Sequence, residues 1–514
     1  MEITFLGAVN EVGRSCFLIE AKRTKILLDA GVKLGEKIDY PVIKDETIPE
    51  IDGVVISHAH LDHCGFLPHL YSKGYSGTVY ATKPTIELMQ VLLSDYIRVS
   101  ETKGLQKNVV GKIMKNSRML EYKQEIRIKD LTISLIPAGH ILGSALIKVS
   151  DGRESIIYTG DINLSRTKLL NPAELRQLEA DALIMESTNG GEEDIMRTEK
   201  ENLSLLTGII NNTILGGGKV LVPSFATGRA QEVLLILDDY MTSGRIPKVP
   251  IYMDGMINKM LRIHRHNMVY CRKELQMKIL MSDSDPFKSE NFFEVKGKPE
   301  RNKITSSDQS SIIVTTSGML SGGPVLFYMS KLAKDKMNVM IFVGYQAEGT
   351  LGRTIKEGER DVEIDGKKIH ISMEVKYVRI SGHADRKQLE SIPDKIKGVK
   401  KIFVVHGDPE RSESIRSFLS KKYDAIIPTL GSRHMVIERH HAEISREGHK
   451  EHLQQHTPIH QHHQPTQIER DTGDSQKNES HRHDERIEHG EHHNRDAYRL
   501  HFEDNAHGVD DNQV

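Results

Sequence analysis

Short apolar runs that end in glycine, histidine or an acidic residue recur along the chain. They are KILLDAG (25–31), GVVISHAH (53–60), LTISLIPAGH (131–140), SIIYTGD (155–161) and ALIMEST (182–188). Each has the length and composition of a buried strand that delivers polar side chains at its end. Between them, the apolar positions of Thr85–Glu101 return at three- and four-residue intervals, which predicts an amphipathic helix. From about residue 195 the alternation becomes strictly strand, small-residue loop, helix, as in KVLVPSFATGRAQEVLLILDDYM (219–241), SIIVTTSGMLSGGP (311–324) and NVMIFVGYQAEGTLGR (338–353). That pattern predicts a parallel α/β domain. After about residue 375, VKYVRISGHADR and KKIFVVHGDPE read as strands ending on histidine, returning to complete the first core.

The pattern therefore divides the chain into residues 1–194, an insertion over 195–375, a returning segment over 376–437 and a tail over 438–514. The tail has no apolar periodicity: 16 of the 26 histidines lie at or after His434. So polar a segment buries too little to offset its ordering entropy, and it is expected to be disordered. A solvating or partner-binding role is the simpler expectation for it, with metal sequestration the alternative.

Charge changes the picture only after this division. The net charge of −2 splits into a tail with nine basic and 17 acidic residues and a mildly basic remainder, which permits a polyanionic partner without requiring one. Three widely spaced cysteines, Cys16, Cys64 and Cys271, argue against a disulfide framework and for a reducing, cytoplasmic setting. No run reaches the roughly 20 apolar residues of a membrane span.

The chemistry is concentrated in SHAHLDHCG (57–65). A lone histidine on a strand is usually a packed residue, but His58, His60, Asp62 and His63 on one turn would cost desolvation and mutual repulsion unless a cation joined them. One turn constrains their angles too tightly for all of them to meet on a single tetrahedral ion, so two ions are expected, with further donors among His140, Asp161 and His406, each just after an apolar strand. Imidazole and carboxylate donors without thiolate suit zinc or another borderline divalent ion. Cys64 is expected to point into packing.

Asp29 in LLDAG, the HAHLDH run, His140 and Asp161 resemble the successive motifs of the metallo-β-lactamase superfamily, whose fold is an αββα sandwich. The resemblance implies that His58, His60 and His140 hold one Zn2+, that Asp62, His63 and His406 hold a second, that Asp161 bridges them and that Asp29 orients the ligands. MESTNG with Glu186, SGHADR with His383 and VVHGD with His406, together with PSFATGRAQE and GYQAEGTLGR, resemble the β-CASP branch, whose members cut nucleic acids. Within it the likeness is to archaeal homologues of the endonuclease subunit of the cleavage and polyadenylation specificity factor, and it covers residues 1–437.

The resemblance implies a ribonuclease in which a hydroxide on two zinc ions attacks the phosphodiester. His383 is the general acid, Glu186 holds it charged, and Asp62 completes the candidate catalytic set. A structural ion pair is the alternative reading of Glu186 and His383. The loops SFATGR and TSGMLSGG, through Ser224, Thr227, Arg229, Ser317 and Gly318, are candidate phosphate contacts. A histidine at position 406, rather than an aliphatic residue, marks RNA-processing members, so the expected partner is single-stranded RNA. A homodimer, and association with other RNA-processing or decay proteins, are also implied. Endonuclease and 5′→3′ exonuclease action share these ligands.

Four alternatives compete. A thioester or lactone hydrolase on this fold has no need of the insertion or of Glu186 and His383, and a DNA nuclease would lack His406. A diiron member would carry glutamate in place of His60, and an inactive paralogue would lack ligands. Two departures from the branch are Asn189, where an aromatic or small residue is usual, and the expectation that no KH-type segment stands ahead of Met1.

Overall fold

The computed structural model describes residues 1–35, 37–100, 108–281 and 285–437. The segment read as a disordered tail, and Glu101 at the end of the expected helix, lie outside the described residues.

Period-two alternation in the first strands decides which face meets which layer. In Glu2–Phe5, Phe17–Glu20 and Lys25–Leu28, the side chains of Ile3, Phe5, Phe17, Ile19, Ile26 and Leu28 face one core, while Leu18 and Leu27 face another beneath the helices. These strands lie in a seven-stranded sheet ordered Arg433–Met435, Glu2–Phe5, Phe17–Glu20, Lys25–Leu28, Gly53–Val55, Thr78–Ala81, Ser117–Met119. A second seven-stranded sheet is ordered Asp424–Ile426, Lys401–Val405, Ala182–Glu186, Ser155–Tyr158, Ala145–Ser150, Leu131–Pro137, Glu125–Ile128.

The inward faces of the two sheets share one core, in which the rings of Phe5, Phe17, Tyr158 and Phe403 pack with neighbouring centroids 5.0 to 5.6 Å apart. The outward residues of the second sheet, Leu183, Met185, Ile402 and Val404, pack with Leu389, Ile415 and Leu419 of the helices Arg386–Ser391 and Pro409–Leu419. The result is the αββα sandwich.

The insertion builds its own six-stranded sheet, with every pairing parallel: Phe292–Glu294, Ile251–Asp254, Ile312–Thr315, Val220–Pro223, Val339–Phe342, Glu374–Tyr377. Its last strand corrects one expectation. VKYV was assigned to the returning segment, yet Glu374–Tyr377 pairs in parallel with Val339–Phe342, and Val375 and Tyr377 pack on the inserted core. The strand stops six residues before His383, which sits in a loop. The chain returns to the second sheet with Lys401–Val405, parallel to Ala182–Glu186, and Arg433–Met435 closes the first sheet against Glu2–Phe5.

The expected helix spans Lys83–Ser100, and no helix among the described residues is long and apolar enough to cross a membrane. Cys16, Cys64 and Cys271 are free and buried.

Candidate metal centre

The buried strand Gly53–Val55 ends just before the histidine run, so its backbone carries His58 and His60 to the sheet's C-terminal edge, and the short helix Leu61–Cys64 turns Asp62 and His63 back beside them. The loops after Leu131–Pro137, Ser155–Tyr158 and Lys401–Val405 bring His140, Asp161 and His406 to the same place. Two separate donor sets result, and a third group, Asp161, Glu186 and His406, overlaps both. His58, His60, His140 and Asp161 place their donor atoms within 4.8 Å of one another, and so do Asp62, His63 and His406.

The spacing inside the first set is that of ligands around an ion. His60 Nδ1 lies 3.2 Å from Nε2 of both His58 and His140, and Asp161 Oδ2 lies 3.5 Å from each of those Nε2 atoms. Four donors at zinc–nitrogen distances on a tetrahedron are about 3.3 Å apart. On the other side, Asp161 Oδ1 is 3.3 Å from His63 Nε2, and Asp62 Oδ2 is 3.4 Å from His406 Nε2. Asp161 thus turns one oxygen to each set. His63 Nε2, His406 Nε2 and Asp161 Oδ1 are buried without a hydrogen-bond partner, a costly arrangement that a cation would relieve. The residues therefore fit bound metal.

The protein partners fix which nitrogen is free. His63 Nδ1 donates to Asp29 Oδ2 at 2.7 Å, His140 Nδ1 to the Gly382 carbonyl at 2.8 Å, His58 Nδ1 to Ser57 Oγ at 3.0 Å and His406 Nδ1 to Thr188 Oγ1 at 3.3 Å. Each points Nε2 toward the site, the arrangement that orients imidazole ligands. Asp29, at a positive φ of 59°, also accepts from Ser57 N, Ser57 Oγ and Tyr158 Oη. Ser57, Tyr158, Thr188 and Gly382 escaped the sequence reading. Ser57 adjoins the histidine run, but Tyr158 carries no local signal, being one more apolar position in a buried strand.

Electrostatics agree with this division in the first set, while His63 differs: burial disfavours its imidazolium, but Asp161, Asp62 and Asp29 prevail and raise it well above the usual histidine range. Burial, aided by neighbouring imidazoles, holds His58 and His140 well below the usual histidine range, and burial also lowers His60. These three are neutral, as ligands must be. Burial opposes ionisation of Asp161 and Asp62, yet His63 and His406 outweigh it and hold both carboxyls down.

Beside the site, His383 Nδ1 lies 3.1 Å from both oxygens of the fully buried Glu186, whose Oε1 also accepts from Ile162 N. Its Nε2 faces the donors, 3.9 Å from Asp161 Oδ2, and its side chain keeps 20% exposure. Burial disfavours the imidazolium, but Glu186 and Asp161 prevail and raise His383 to about 9.

The two small-residue loops pack on one another, because Gly318 lies against the Ser224–Phe225 backbone, where a Cβ would fall 2.9 Å from Phe225 N. Ser224 Oγ, Thr227 Oγ1 and Ser317 Oγ are buried without a protein partner. Arg229 departs from expectation. Its guanidinium is buried and donates to the carbonyls of Ile380 and His140, so it braces the core rather than presenting a free fork to phosphate. Asn189 has a structural place, donating to the Ala384 carbonyl beside His383 and accepting from Arg379. Cys64 Sγ donates to the Ala59 carbonyl within packing.

Residues 18–188 match the metallo-beta-lactamase superfamily domain, residues 230–355 the Beta-Casp domain, and residues 368–428 the Zn-dependent metallo-hydrolase RNA specificity domain. The αββα frame and its histidine–aspartate site are those of a metal-dependent hydrolase. The chain belongs to the β-CASP branch of the metallo-β-lactamase superfamily, alongside archaeal proteins described as transcription termination factor FttA.

It is 39% identical over 440 residues to the FttA protein of Methanothermobacter thermautotrophicus, covering 82% of this chain and 69% of that one. The proteins of Pyrococcus horikoshii, at 38% over 448 residues, and Methanosarcina mazei, at 37% over 440, are covered to the same extents. Among solved structures, a protein of unknown function from Enterococcus faecalis V583 shares the fold, with a TM-score of 0.50 at 13% identity over 84% of this chain and 99% of that one.

Proposed function

We propose that the protein is a dinuclear zinc ribonuclease that hydrolyses phosphodiester bonds of single-stranded RNA and acts in forming or maturing transcript 3′ ends. The observation that carries this reading is the pair of donor sets sharing Asp161, with the Glu186–His383 pair at their edge. Its relatives' description as termination factors supports the place in transcript 3′-end formation. We take His58, His60 and His140 to hold one ion, Asp62, His63 and His406 the other, and Asp161 to bridge them. When bound, the ions supply a nucleophile of lowered pKa and neutralise charge on the phosphate.

The protein's own groups do the rest. His383 keeps its Nδ1–H on Glu186, so the proton it delivers to the departing oxygen is the one on Nε2, on the side facing the donors. Glu186 is anchored by Ile162 N and holds the ring against rotation. Ser224, Thr227, Ser317 and Gly318 shape the paired loops against which phosphates of the bound strand lie, their hydroxyls buried within those loops. We place the protein in the cytoplasm, as a homodimer, with the insertion running from near residue 195 to the end of the strand Glu374–Tyr377.

The test compares cleavage of single-stranded RNA, labelled internally and at its 5′ end, by the intact chain, His383→Ala and Asp62→Ala/His63→Ala, with metal content measured alongside. His383→Ala should keep its metals and slow at least 100-fold, and the double variant should lose both metal and activity. Fragment sizes separate endonuclease from exonuclease action. Fully loaded protein that leaves RNA intact would turn attention to DNA, thioester and lactone substrates.

A further inference from the structure

The start of the helix Arg229–Thr242 in the inserted domain meets the core at the loops that carry metal donors. Arg229 reaches across with two nitrogens: Nη1 donates to the Ile380 carbonyl at 2.9 Å and Nη2 to the His140 carbonyl at 3.3 Å. One turn on, the Glu232 carboxylate accepts from Lys168 N at 2.6 Å and Leu169 N at 3.1 Å, in the loop that follows Asp161. Both side chains are at least nine-tenths buried.

Two glycines make this approach possible. Gly228, at φ +84°, lies where a Cβ would come 2.5 Å from Ile141 Cγ2, and Gly382 lies where a Cβ would come 2.3 Å from Arg229 Nη2 and 3.1 Å from His140 Nδ1. Gln231 closes the loop between them, accepting from Gly228 N and donating to the Ala226 carbonyl. The side chains of Arg229, Gln231 and Glu232 are thus all engaged within the protein.

We infer that Arg229 and Glu232 are positioning residues, a paired clamp through which the inserted domain fixes the loops bearing His140 and Asp161, so that metal affinity depends on how that domain is seated. The inference rests on His140 and Asp161 being metal donors, and it assigns Arg229 away from direct phosphate contact. Burial works against both charges, lowering the guanidinium and raising the carboxyl, and each offsets part of the other's cost. A clamp of this kind has the same standing as the partners of ligating histidines, whose loss typically weakens metal binding 10- to 100-fold.

The test measures Zn2+ affinity of the full-length chain by competition with a chromophoric chelator, for the intact protein, Arg229→Ala, Arg229→Lys and Glu232→Gln, with melting curves as a control for folding. Arg229→Ala and Glu232→Gln should each weaken the tighter or the looser ion by about tenfold or more. Arg229→Lys, which keeps the charge but cannot span two carbonyls, should recover little, and added guanidinium ion should restore binding to Arg229→Ala. On RNA, KM should stay within about twofold while kcat falls. If Arg229→Ala does not fold, Glu232→Gln decides alone, and unchanged affinity in it overturns the clamp. Unchanged Zn2+ affinity with a raised KM in Arg229→Ala also overturns it, returning Arg229 to the substrate. Because the affinity measurement needs no RNA, a loaded protein that cleaves no RNA would sink the ribonuclease reading and leave the clamp to be decided on its own.

Discussion

Single side chains divide here between those that hold donors and those that hold the holders. Tyr158 belongs to the second kind, since its hydroxyl is one of four donors on the Asp29 carboxylate. Tyr158→Phe keeps the ring in the core and removes that donor, so metal affinity should fall by about tenfold with the melting temperature little changed, as chelator competition and thermal unfolding would read. In the proposed reaction Glu186 acts through the proton of His383. A general acid works while protonated, so activity falls as pH rises through the pKa of His383, which Glu186 raises. Glu186→Gln should therefore bring the alkaline fall in kcat to lower pH. A pH–rate profile whose alkaline limb stays in place would show that Glu186 is structural.

Among the elements, the donor-bearing loops were legible in sequence because each follows a short apolar run that could only be a buried strand, and because HxHxDH concentrates donors no ordinary turn would carry. The partners were less legible. Gly382 and His140 are 242 residues apart, and no local pattern records such a meeting. The strand Glu374–Tyr377 was placed with the wrong sheet for a related reason: its alternation shows that one face is buried, not which core buries it. The helix Ile257–His266 offers a test at this scale. His264 is fully buried, its Nδ1 donates to the Met260 carbonyl, and burial lowers it to about 4. The unfolded chain takes up that proton near pH 6.5, so stability is full above 6.5 and declines as pH falls toward 4, by about 3 kcal/mol. In His264→Gln, denaturant unfolding should show that much less acid sensitivity across this window.

For the whole molecule, closure of the sandwich depends on its last described strand. Arg433–Met435 pairs with Glu2–Thr4, Phe5 N donates to the Ser432 carbonyl, and Val436 is buried in the core between the two sheets. A chain ending at Ile437 should melt with the 514-residue chain, whereas one ending at Leu430 should lose at least about 2 kcal/mol, the worth of Val436 alone. Thermal unfolding of the two truncations decides it. The same scale shows how the insertion is hung. Glu186 ends the strand before it, His383 lies in the loop after it, and 197 residues of chain separate two side chains that touch. The inserted domain is therefore held twice, by that pin at its neck and by Arg229 and Glu232 along its flank. Lengthening or trimming its far loops leaves both attachments untouched, whereas any force that tilts the domain is passed through them to His383 and to the loops of His140 and Asp161.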